Sequence, residues 1–159
     1  MTVMVSVLVG CATPKQDRAA DARNLFEQTV KQYHLPSAEA QGATRQQLLD
    51  QAAAGYERLL KTYREQSFWC AQALRSLGNL RAEQGRLNEA VKLYRRVGEQ
   101  YPQQDWEVLQ AWKSAADLLW DAGRKDEARQ FYRQIIARFD QPDASAVART
   151  VVRAARSRS

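Results

Sequence analysis

Residue types that build β-sheets and catalytic centres are scarce in this sequence. It contains one histidine, two cysteines and four prolines among 159 residues. After Cys11 only nine residues are Val or Ile, whereas the whole chain contains 25 Ala. Because Val and Ile favour strands and Ala is the best helix former, this composition argues against a sheet-built enzyme and favours an all-α fold.

Motifs for metal binding and catalysis are also missing. His34 is the only histidine, and the sequence has no Cys-x-x-Cys or His-x-x-x-His spacing. It contains no glycine-rich phosphate loop, and no base near Cys70 in the sequence would activate its thiol. We therefore predict that the protein is not an enzyme and that it uses no metal, cofactor or small-molecule substrate.

The first ten residues form an uncharged, mostly apolar run that is too short to cross a membrane. The run leads into Leu8-Val9-Gly10-Cys11. This ending resembles the bacterial lipoprotein signal, although no positive charge precedes the apolar run as it normally does in a signal peptide. The alternative is a short buried strand or helix that contains a cysteine by chance.

The lipoprotein resemblance implies a signal peptide at residues 1–10, an acylated Cys11 and a lipidated tether at residues 11–16. Several acyl chains would hold the protein stably to a bilayer, since each buried methylene contributes about 0.8 kcal/mol. Ala12 after the cysteine implies sorting to the outer membrane, on its periplasmic side. If Cys11 is not acylated, a disulfide between Cys11 and Cys70 becomes possible.

The sequence is self-similar at an offset of 38 residues, which indicates a repeat architecture. Four columns each keep one chemistry: Ala52, Ala90 and Ala128; Tyr56, Tyr94 and Tyr132; Leu59, Val97 and Ile135; Tyr63, Tyr101 and Phe139. Helix-starting residue types also align, at Ser67, Asp105 and Asp143 and at Asp50, Asn88 and Asp126, so each repeat is expected to contain two helices. Gly85 and Gly123 align where the first helix should end.

These columns resemble the tetratricopeptide repeat. The first full repeat matches its pattern at Leu74, Leu77-Gly78, Ala90, Tyr94 and Pro102, and the second at Trp112, Ala115-Ala116, Ala128 and Tyr132. The long spacing with its Tyr-Pro ending is similar to envelope members of the family, such as the repeat lipoprotein of the barrel-assembly machinery and the Tol-Pal-associated coordinator.

The resemblance implies a short right-handed solenoid of antiparallel helix pairs over residues 17–159. Full repeats are expected at residues 67–104 and 105–142. An incomplete unit should precede them, with helices at residues 17–34 and 44–66 joined by a loop from Pro36 to Ala43. Residues 143–156 should form a C-terminal capping helix that covers the open end of the stack.

In such solenoids the first helix of each repeat lines a concave groove, where we predict protein binding. The candidate residues are Arg75, Asn79, Glu83, Lys113, Asp117 and Trp120. Arg75, Asn79 and Lys113 are similar to the carboxylate-binding clamp of some family members, although Ser114 stands where a second amide is expected. A solvated polar face is the alternative for this set, and core packing is the alternative for Trp120.

The net charge of +6 is concentrated near the C-terminus, where four arginines and no acid follow Asp143. They are Arg149, Arg153, Arg156 and Arg158. This face could contact anionic headgroups or an acidic partner, or it could be a solvated capping face.

Together these features predict a membrane-anchored scaffold or accessory subunit of an outer-membrane assembly. Its partners would be unidentified envelope proteins and the bilayer, with no nucleic acid. The alternative is a cytosolic adaptor whose basic tail binds an acidic partner or RNA.

Overall fold

The structure is a computed structural model that describes residues 17–159. Within this range the regular elements are all helical. They are α1 (Arg18–Thr29), a π-helical turn (Val30–His34), α2 (Leu35–Glu39), α3 (Gly42–Thr62), α4 (Ser67–Glu83), α5 (Leu87–Gln100), α6 (Asp105–Asp121), α7 (Lys125–Phe139) and α8 (Ala146–Arg156). The predicted all-α solenoid of helix pairs is confirmed. The predicted signal peptide and lipidated tether lie outside the described residues.

The helices pack in chain order, so that from α3 to α8 each one contacts the next. Helix α4 also contacts α1 on one side and α6 on the other, whereas no comparable packing joins α3, α5 and α7 within residues 17–159. The stack therefore curves towards the closely spaced row. We call the surface formed by α1, α4 and α6 the inner face, and the surface formed by α3, α5 and α7 the outer face.

The aligned alanine and tyrosine columns form the packing core of the stack. The three alanines are fully buried and the three tyrosines are at most 3% exposed. A small residue on one helix lets its neighbour approach closely, and the aromatic rings fill the space beside it. Gly98 shows how close the approach is, because a Cβ added there would lie 2.6 Å from the Trp112 ring.

Two glycines close the turns inside the repeats as predicted. Gly85 and Gly123 have φ angles of +71° and +76°, in the left-handed region that favours glycine. Each lies two residues after the last residue of its helix, and its amide donates to a carbonyl of the last turn, Ala82 for Gly85 and Trp120 for Gly123.

The predicted loop from Pro36 to Ala43 is wrong. The helical path runs through the π-helical turn into α2, and only Ala40 and Gln41 separate α2 from α3. In the π-helical turn the amide of Leu35 donates to the carbonyl of Val30, five residues back. This wider turn directly precedes Pro36, which lies at the start of α2, where its missing amide is tolerated.

The predicted helix caps need a similar correction. Four of the aligned polar residues do lie in first turns, but one or two positions inside the helix, and no side chain caps α4 to α7. These four are Ser67, Asn88, Asp105 and Asp126. Asp50 lies within α3, and α8 is capped by Ser145 rather than by Asp143. In first turns, the aspartates still interact favourably with the positive end of the helix dipole.

Candidate protein-binding site on the inner face

The most buried ion pair of the inner face joins α4 to α6. Arg75 Nε lies 2.5 Å from Glu107 Oε2. The Glu107 side chain is 2% exposed, whereas that of Arg75 is 25% exposed. Glu107 is therefore a buried carboxylate whose charge depends on one guanidinium for compensation. A ligand carboxylate that used Arg75 would have to share it with Glu107.

Two equivalent hydrogen bonds connect the inner face to the tyrosine column. The Tyr94 hydroxyl donates to Asn79 Oδ1 at 2.8 Å, and the Tyr132 hydroxyl donates to Asp117 Oδ1 at 3.0 Å. Asn79 and Asp117 are themselves 38 residues apart, so both repeats build the same contact. The bond to Tyr94 uses the carbonyl oxygen of Asn79, and the amide nitrogen is the group that can still donate to a ligand.

Burial controls the ionisation of this column. Desolvation raises the pKa of Tyr56 and of Tyr94 to about 12. The pKa of Tyr132 is raised as well, again mainly because burial disfavours the phenolate. These hydroxyls therefore remain protonated donors at neutral pH.

At the N-terminal end of the inner face, Glu83 meets groups from the incomplete first unit. Arg45 Nη2 lies 3.3 Å from one Glu83 oxygen, and His34 Nε2 lies 3.5 Å from the other. His34 Nδ1 and the buried Tyr56 hydroxyl share a hydrogen bond of 2.8 Å. The π-helical turn thus carries His34 into the polar layer.

The second repeat carries a cluster that reaches the end of the chain. Lys113 Nζ lies 2.7 Å from Asp117 Oδ2, and Arg158 Nη1 lies 3.1 Å from Asp117 Oδ1. Arg158 also donates to the Tyr132 hydroxyl at 3.0 Å. Asp117 therefore has a cation on each of its two oxygens. The Lys113 side chain remains 44% exposed.

Trp120 is partly buried beside the same cluster. Its ring lies 6.1 Å from that of Tyr132 in an edge-on arrangement. Three cations lie over the Trp120 ring, at 5.2 Å for Lys125, 6.0 Å for Arg129 and 5.4 Å for Arg158. The ring packs against α7 and the end of the chain, in agreement with the core-packing alternative.

Two family models, both described as tetratricopeptide repeat, match this chain at residues 37–105 and 82–150. The chain is a tetratricopeptide repeat protein. The matches together run from α2 to α8 and include every helix of both full repeats. No curated protein matches the sequence.

In this tetratricopeptide repeat protein the predicted site residues share one surface, but their charges are compensated within it. Arg75 pairs with Glu107, Glu83 with Arg45, and Lys113 with Asp117. A charged group of a ligand would therefore have to replace one member of an existing ion pair, because these side chains already have partners. Binding by the six predicted residues stays a prediction.

Sequence reasoning missed Glu107, His34 and Arg158 as members of the inner-face network. Glu107 occupies the first turn of α6, where an acidic residue is ordinary at a helix start. Arg158 lies 41 residues from Asp117, and nothing local to either residue indicates the contact. Arg75 and Glu107 are 32 residues apart, so they belong to neighbouring repeats. Among the three missed residues, this separation is the one sequence signal for a pair between repeats.

The one cysteine among the described residues, Cys70, is part of the packed interior. The Cys70 thiol is buried and donates to the Tyr63 carbonyl at 3.1 Å, and burial raises the pKa of Cys70. Across residues 17–159 no group of three or more His, Cys, Asp or Glu side chains is arranged to hold a metal ion. Over the same range, no helix has the length and apolar character needed to span a bilayer.

Proposed function

We propose that this protein is a lipid-anchored scaffold of the bacterial cell envelope. Its repeats bind protein partners through the inner face, and acylated Cys11 holds it to the periplasmic side of the outer membrane. Tetratricopeptide repeats are protein-interaction modules, which supports the scaffold role. The anchor rests on the sequence Leu8-Val9-Gly10-Cys11.

The observation that carries the binding proposal is the layer of partly exposed polar groups that both repeats present at equivalent positions. Asn79 and Asp117 each bind the tyrosine of their own repeat, which fixes the orientation of the side chain. Lys113 extends from this layer with almost half of its side chain exposed. A peptide lying across α4 and α6 could therefore contact both repeats at once.

The anchor is tested by mass measurement and membrane fractionation of the full chain in a Gram-negative host. The expected product begins at Cys11, carries acyl chains and sediments with the membranes. Cys11→Ser should release the protein into the soluble fraction, and Cys70→Ser, which changes the other cysteine, should leave it membrane-bound. Soluble wild-type protein that retains Met1 would contradict the anchor and favour the cytosolic adaptor.

The inner face is tested by crosslinking and capture from intact envelopes. Lys113→Glu should reduce the recovery of crosslinked partners, because it reverses an exposed charge at the centre of the face. The matched control is Arg133→Glu on the exposed surface of α7, which should not change the recovery of crosslinked partners. Reversal of Arg75 is unsuitable here, because it would leave Glu107 buried without a cation and so mix stability with binding. Undiminished capture by Lys113→Glu would count against the inner face.

A further inference from the structure

A second charged surface lies on the outer face, in a groove between α3 and α5. The groove has a volume of about 470 Å³, and α4 forms its floor. Its apolar lining comes from Leu60, Leu77 and Leu93, of which Leu77 and Leu93 are at least 92% buried. The floor of the groove is therefore apolar.

Five cations and two carboxylates line this groove, and both carboxylates already form ion pairs. Arg81 lies at the centre with a side chain that is only 14% exposed. It lies 3.4 Å from Glu57 and 3.8 Å from Glu89, and so links the carboxylates of α3 and α5. Glu89 also pairs with Arg86 at 2.7 Å, so both acids are engaged by cations other than the remaining four of the groove.

The other four cations have no carboxylate within ion-pair distance among the described residues. They are Lys61 and Arg64 near the end of α3, and Lys92 and Arg96 on α5. The spacings Glu57–Lys61 and Glu89–Lys92–Arg96 keep each set on one helix face, and Arg64 lies two residues beyond the end of α3. In both helices the acid precedes the cations, so uncompensated positive charge collects at the end of α3 and in the middle of α5.

The repeat itself supplies an internal comparison, since the next groove along lies 38 residues later. There Glu99, Pro102, Gln130 and Gln134 replace the four cations. The second repeat thus stacks correctly without any of these charges. Packing does not require them in the first groove, where four like charges repel one another and reduce stability.

We propose that the groove between α3 and α5 binds an acidic segment of a partner protein that inserts an apolar side chain between its carboxylates. The charge is complementary to such a segment, and the leucine floor receives the apolar side chain. A bilayer surface fits less well, because the leucines lie below the level of the flanking helices and the charge is confined to one groove. The inference rests on the scaffold role but not on the inner face or on the anchor.

The test uses the full chain and a fluorescent synthetic peptide in which a leucine is flanked by glutamates. Binding is followed by anisotropy at low and moderate salt. The triple variant Lys61→Glu, Lys92→Gln, Arg96→Gln gives the first groove the residues of the second at three of these four positions, so it should remain folded and bind the peptide at least about tenfold more weakly. Changing the leucine of the peptide to serine should also weaken binding.

Lys113→Glu distinguishes this inference from the inner-face proposal, because it should leave peptide binding unchanged. The reverse transfer, Glu99→Lys with Gln130→Lys and Gln134→Arg, should create binding at the second groove. No binding of the peptide by the wild type, or equal binding by the triple variant, would overturn the inference. Preferential binding of phosphatidylglycerol vesicles or of an RNA oligonucleotide over the peptide would overturn it as well.

Discussion

Replacing Arg75 by methionine is expected to destabilise the fold strongly, because it leaves the Glu107 carboxylate in the interior without its cation. Methionine retains much of the apolar stem of arginine, so the main change is the loss of charge and hydrogen bonding. Loss of one partner of a buried ion pair typically costs about 3–5 kcal/mol. Arg75 is 25% exposed, so water reaches one side of the pair. We therefore expect a loss of about 2–3 kcal/mol in the free energy of unfolding.

Urea denaturation followed by circular dichroism measures this loss. For a domain of this size it corresponds to a decrease in melting temperature of about 4–12 °C. Arg86→Gln is the matched control, because Arg86 forms an ion pair of 2.7 Å with Glu89 while both side chains are about half exposed. An exposed pair of this kind contributes about 0.5 kcal/mol or less.

A double-mutant cycle separates the ion pair from general packing. Arg75→Met combined with Glu107→Leu removes both charges and should recover most of the stability lost in the single variant. If the two substitutions are additive, or if Arg75→Met costs no more than Arg86→Gln, Glu107 does not depend on Arg75 and our account of the inner face is wrong.

Three further outcomes are expected. The pKa of Tyr94 is about 12 when folded and about 10 when unfolded, so the contribution of this group to stability is fully present below pH 10 and is lost, by up to about 3 kcal/mol, as the pH rises through 12. Urea titrations should show that this part of the loss is missing in Tyr94→Phe. Gly98→Ala should lower the free energy of unfolding by about 1–2 kcal/mol in thermal melts, because the new Cβ meets the Trp112 ring. In a Trp112→Leu background the same substitution should lower it much less. Arg158→Ala should shift tryptophan emission to longer wavelength by exposing Trp120, with no shift in a Trp120→Phe background.

The repeat was predictable because its packing contacts recur at a constant spacing. Ala90 and Ala128 could be placed in the core, and Gly85 and Gly123 at turns, from residue size and backbone freedom alone. The π-helical turn could not be predicted, since Pro36 ordinarily marks the end of a helix and the wider hydrogen bonding before it has no sequence signature.

The polar layer was predictable only in part. The sequence pattern predicts Asn79 and Asp117 as members of the site, and both prove to bind the tyrosine of their repeat, whereas the position expected for a second amide was that of Ser114. It could not show that the neighbouring charges are compensated by partners from other helices, because those partners depend on which side chains the curvature brings together. Burial of Glu107 follows from its position between α4 and α6, not from its residue type.

Helix α4 gives the two proposed binding surfaces a common support. Arg75 reaches the inner face, and Leu77, two residues later, forms part of the floor of the outer groove. Two residues correspond to a rotation of about 200° around a helix, so these side chains leave α4 on nearly opposite sides. A helix with its side chains is about 10 Å across, which keeps an inner ligand and an outer ligand apart. Occupancy of one surface therefore does not block the other, and the two partners could be held at the same time on one rigid unit.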